Sequence, residues 1–130
     1  MKILCDELSR LFPEFFSTVY DGDKELPYMM MVNLASWLKE IPAPLNPVLV
    51  GNIVKFARWC ESQPRGTGAE NDMLTIFAVG FLEELFDSDA TQALLPVLMS
   101  KEELHENSDY LKRWVGAENY EMASRRLGKI

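Results

Sequence analysis

The sequence predicts an all-α domain, and three observations carry that prediction. Apolar residues recur at helical spacing through most of the chain. Proline and glycine stand between the periodic stretches, with Asn, Asp or Ser where helices would begin. No two segments alternate as partnered strands would. The expected architecture is a single-domain bundle over residues 1–130, of about six or seven helices around a central apolar helix at 72–87.

The first element, KILCDELSRLF at 2–12, places Ile3, Leu4, Leu8, Leu11 and Phe12 on one helical stripe. Pro13 opens a second short turn, as the first residue of a helix would. DGDKEL at 21–26 is a turn. From Pro27 to Glu40 an amphipathic helix sets Asn33, Ser36, Lys39 and Glu40 against Met30, Met31, Leu34, Trp37 and Leu38. IPAPLNP at 41–47 is extended, because a residue before proline avoids the α region. Asn46 then caps a helix with Pro47 at its first position, turning Leu49, Ile53, Phe56, Ala57 and Cys60 inward as far as Glu61.

SQPRGTGAEN at 62–71 reads as a loop, with RGTG a mobile connector. Asn71 or Asp72 caps the central helix, which is apolar nearly all round until Glu83, broken only by Thr75. Asp89 caps the next helix, ATQALLPVLM, where Pro96 shortens or kinks the chain. Ser100 and Glu103 match a capping box, and that helix runs to Val115 before Gly116. A last helix spans roughly 117–127. Of the tryptophans, Trp114 lies nearest a helix end and is expected to be the most exposed.

The net charge is −7. That argues against nucleic acid as partner, since phosphate contacts need clustered Lys and Arg. It suits a basic protein partner. The charge is uneven: residues 71–109 hold nine acids and one lysine, a local net of −8, while 111–130 have a local net of +3. Internal neutralisation of one segment by the other is one reading of this asymmetry. Asp6 and Glu7 interrupt what would be the apolar part of a signal peptide, and no run is long enough to span a bilayer, so a cytoplasmic, membrane-free location is expected. Cys5 and Cys60 read as buried thiols.

No catalytic, metal or cofactor motif emerges. The single histidine, His105, sits in an acidic helical stretch without a nucleophile beside it, where a solvated surface role is expected. Clustered Cys and His for zinc, Glu-x-x-His pairs for di-iron, a calcium loop and a P-loop are all missing from the sequence. Glu83 and Glu84 point about 100° apart on a helix and cannot share a substrate. Glu83 is the one drawn inward, as a structural charge, with Arg58, Arg113, Arg125 and Arg126 as candidate partners. Glu84 and Asp87 oppose the helix dipole at the end of the central helix, and local stability does not account for them.

With FPEF at 12–15, VGFLEELF at 79–86 and SDYLKRWVGAENY at 108–120, the chain resembles the small all-helical immunity-type proteins of bacterial polymorphic and contact-dependent toxin systems. The resemblance implies no enzyme activity. It implies a protein that binds a cognate toxin domain, basic and in some systems a nuclease, and occludes its active site. It points to Glu84, Asp87, Asp89, Glu102, Glu106 and Asp109 as partner contacts, with Phe81, Leu82, Glu83 and Trp114 structural. The competing expectation is a helical regulatory or adaptor subunit, or a stand-alone domain, unrelated to toxins. An enzyme would need a pocket joining Glu83 to His105 or Cys60.

Overall fold

Pro13, Pro27 and Pro47 each stand at the first position of a helix, as expected. The computed structural model describes residues 2–42, 44–68 and 72–128. Helix α1 (Lys2–Leu11) gives way to α2 (Pro13–Phe16), and α3 (Pro27–Lys39) follows a 3-10 turn at Asp21–Glu25. Helix α4 (Pro47–Ser62) is capped by Asn46, whose Oδ1 accepts from the Leu49 amide at 2.9 Å. No strand occurs among the described residues. One apolar core runs from Leu4 to Leu127, so the fold is all-α with the expected central element.

That element is a rod with three kinds of winding: α5 (Met73–Phe77), a π-helical stretch at Ala78–Leu82 and a 3-10 stretch at Glu83–Asp87. It packs on α3 and α4, and at its exit on the last helices. Gly80 explains the close approach to α3. A Cβ there would lie 2.7 Å from the Met31 Cβ and 3.4 Å from the Tyr28 carbonyl. Phe56 on α4 meets the rod edge-on, 5.8 Å from Phe77 and 6.4 Å from Phe81, and meets Phe12 on its other side at 5.9 Å.

Beyond the rod the chain breaks more often than the periodicity suggests. Residues 89–99 form α6 (Asp89–Gln92) and α7 (Leu95–Leu98), parted by a turn ahead of Pro96. The Ser100–Glu103 capping box is present at α8 (Lys101–Glu106). The single helix expected from there to Val115 is interrupted at Asn107, whose side chain and backbone amide both donate to the Glu103 carbonyl, at 2.8 and 3.2 Å. Helix α9 (Ser108–Val115) follows and ends at Gly116, whose φ of +92° suits glycine. Helix α10 (Ala117–Gly128) closes the bundle.

Two expected caps need correction. Asp89 is the first residue of α6 rather than its cap, and its carboxylate pairs with Arg126. Asp72 does hold the N-cap position of α5, but its side chain makes no bond to the helix amides. Its buried carboxylate accepts from the Arg65 guanidinium twice at 2.8 Å, from the Gly66 amide at 3.0 Å and from the Thr75 hydroxyl at 2.6 Å. The start of RGTG is therefore tied to the rod instead of hanging free. Asn71, the alternative cap, lies outside the described residues.

Candidate functional site

Glu84, Asp87 and Asp89 at the exit of the rod pair with cations for which local spacing offers no reason. Lys39, in the last turn of α3, reaches Glu84 Oε2 at 3.4 Å and Asp87 Oδ1 at 2.5 Å. Helix α3 lies against the rod because Gly80 permits it, and that contact brings Lys39 alongside two carboxylates. Glu84 and Asp87 thus have a structural explanation that the helix dipole alone denied them. On α10, Arg126 donates to Asp89 Oδ1 and to Gln92 Oε1, both at 3.0 Å. Gln92 is buried and donates to the Phe86 carbonyl at 2.6 Å, so this cluster locks α6 and α10 to the end of the rod.

Glu83 takes a different partner from the expected arginines. Tyr110 on α9 donates its hydroxyl to Glu83 Oε2 at 3.0 Å, and no cation pairs with Glu83 among the described residues. Burial raises the carboxyl above its ordinary range; the Tyr110 bond opposes this and the neighbouring Glu84 charge adds to it. Burial, followed by the bond to Glu83, likewise raises the Tyr110 phenol.

The remaining predicted contacts separate from these. Glu102, Glu106 and Asp109 are exposed on α8 and α9, and among the described residues they form no ion pair. Beside Asp109 stands Tyr110, 46% exposed, and one turn on comes Trp114, 64% exposed, with the two rings 6.1 Å apart. Arg126–Asp89 is the ion pair linking the basic C-terminal segment to the acidic one among the described residues, so most of the acidity of 102–109 is left uncompensated. Lys112 lies over the Tyr120 ring at 5.1 Å.

Two cavities meet at Glu83. One, of about 310 Å³, runs inward between the rod and α8–α9, past Phe77, Phe86 and Leu111. The other, of about 340 Å³, is a groove bordered by Val79, Glu83, Glu84, Asp87, Trp114 and Val115. Neither is lined by His105 or Cys60. Cys60 is fully buried, its thiol pushed up by burial, and His105 is exposed on α8. Among the described residues, no three His, Cys, Asp or Glu side chains gather as a metal site, and no helix is long and apolar enough to cross a membrane.

Sequence reasoning missed Tyr110 and Lys39. Lys39 stands 45 residues from Glu84, so no spacing rule could pair them. Tyr110 offered one signal: a polar-tipped aromatic on a helix otherwise rich in charge. No family model, characterised protein or solved structure matches the chain.

Proposed function

We propose that this chain is a non-catalytic binding protein whose acidic α8–α9 face captures a basic partner protein, and that the partner is a toxin domain occluded by the contact. The observation that carries this reading is the uncompensated set Glu102, Glu106 and Asp109 beside the exposed pair Tyr110 and Trp114. Unpaired acids speed the approach of a basic protein, and exposed Tyr and Trp are the residues that most often anchor an interface. The resemblance to immunity-type proteins supports the choice of a toxin, and the acidity favours a basic one.

Of the six acids expected as contacts, Glu84, Asp87 and Asp89 already hold the fold together. The proposal therefore gives steering to Glu102, Glu106 and Asp109. The test is co-expression with the product of the adjacent reading frame, followed by association kinetics on the purified pair. A stable complex should form and protect cells from that product. The double variant Glu102→Lys, Glu106→Lys should slow association about tenfold at low salt and flatten its salt dependence. An unchanged on-rate excludes this face. A co-purifying partner with no basic surface and no toxicity favours the adaptor reading instead.

A further inference from the structure

The acids at the exit of the rod and the exposed indole of α9 meet in one groove, of about 340 Å³. Val79, Trp114 and Val115 give it apolar walls; Glu83, Glu84 and Asp87 give it carboxylates; among the described residues no basic side chain lines it. Building on the binding reading above, we propose that this groove receives an arginine side chain of the basic partner. The guanidinium stacks on Trp114 and hydrogen-bonds to the carboxylates, and the methylene stem lies along Val79.

Charge complementarity commits the groove to a cation. Three carboxylates border it, and among the described residues Lys39 is the one cation that pairs with them, through Glu84 and Asp87. The hydroxyl of Tyr110 satisfies one oxygen of Glu83 but brings no positive charge, so that carboxylate stays electrostatically unanswered. The walls commit the groove to arginine over lysine. Trp114 is 64% exposed and Val79 is 39% exposed, both large apolar groups left facing water. A planar guanidinium stacks on an indole and offers a fork of donors to carboxylates, whereas an ammonium is a compact, strongly hydrated point charge. The chain's own arginines do not fill the groove: Arg126 is engaged with Asp89 and Gln92, and Arg113 and Arg125 are not among its lining residues.

The test is a titration of the ¹⁵N-labelled full chain with a nine-residue polyarginine peptide and a polylysine peptide of equal length, at matched ionic strength. Saturable shifts are expected at the Trp114 indole N–H and along residues 79–87, with the arginine peptide binding several-fold more tightly. Trp114→Leu keeps an apolar side chain outside the core but removes the ring, and should weaken the arginine peptide about fivefold while leaving the lysine peptide nearly unchanged. Glu84→Gln should weaken both peptides. Equal affinity of wild type and Trp114→Leu for polyarginine overturns the groove. Saturable shifts confined to Glu102, Glu106 and Asp109 also overturn it, yet leave the acidic-face reading standing. No saturable shift anywhere removes both.

Discussion

Glu83 shows how one residue can be legible in kind and hidden in detail. Its place on the inward stripe of an apolar helix marks it as the acid drawn inward, and the structure holds it half-buried. Its partner is a phenol on α9, because folding brings Tyr110 to it across 27 residues. A carboxyl raised in the folded state binds its proton more readily there than in the unfolded chain. Stability then falls as pH climbs from the ordinary carboxylate range through the raised folded value. Glu83→Gln keeps an acceptor for Tyr110 and drops the charge, so it should raise the melting temperature at neutral pH. That gain should fade as pH falls below about 4, where the carboxyl becomes protonated in both states. Thermal melts across this range check it, and a lower melting temperature at neutral pH would mean that a cation compensates Glu83 after all. Asp72 has the opposite sign: bonds from Arg65, then Thr75 and the Gly66 amide, hold its carboxyl well below the ordinary range. Its contribution is present above the unfolded value and is lost as pH falls through the folded one. Asp72→Ala should clearly lower the urea midpoint at neutral pH, because it orphans a backbone amide and a hydroxyl as well as the guanidinium. Arg65→Ala should cost clearly less, since the Arg65 side chain is largely solvent-exposed.

Among the elements, the central rod was placed correctly by its apolar composition, while its winding was not readable. Composition reports burial; a switch from α to π to 3-10 depends on how neighbouring helices press on the backbone. Its surroundings are also less complete than an all-round apolar helix suggests, since Val79 faces the groove. Gly80 is the point where the rod and α3 set each other's position. Gly80→Ala gains about 1 kcal/mol of helix propensity but drives a methyl into Met31, so a net loss of about 1–2 kcal/mol is expected. Gly51, within α4, is the control: a Cβ there meets nothing within 4 Å. Gly51→Ala should stabilise by about 0.5–1 kcal/mol. Chemical denaturation of the two variants reads both signs, and a stabilised Gly80→Ala would show that the helices can part without loss. The local signals at Asn46, at Ser100 with Glu103 and at Gly116 were readable because caps involve residues three or four apart. The break at Asn107 is hidden in the sequence, since one Asn inside a strong periodic stretch is a weak signal; its side-chain bond to the Glu103 carbonyl shows only in the fold.

For the whole molecule, the charge asymmetry divides into two populations that composition cannot distinguish. Glu84 and Asp87 share the single charge of Lys39 and Asp89 pairs with Arg126, whereas Glu102, Glu106 and Asp109 face solvent without an ion pair among the described residues. Charge reversal should separate them. Asp87→Lys places a cation against Lys39 and should lower the melting temperature. Glu106→Lys, in the last turn of α8, should leave it unchanged or slightly higher. Parallel melts of the two variants check this, and equal loss in both would mean that Glu106 also has a structural role.

By itself the sequence determined the all-α class, most helix starts, the apolar central element, the acidic surplus and the exposed Trp114. Each of these follows from neighbours along the chain or from composition, where helical periodicity and capping operate over three or four residues. Only the tertiary structure decided which acids are paired, that Glu83 leans on Tyr110, and that Val79, Trp114 and three carboxylates share one groove. Those contacts join residues tens of positions apart, and helix packing, which no local spacing encodes, is what brings them together.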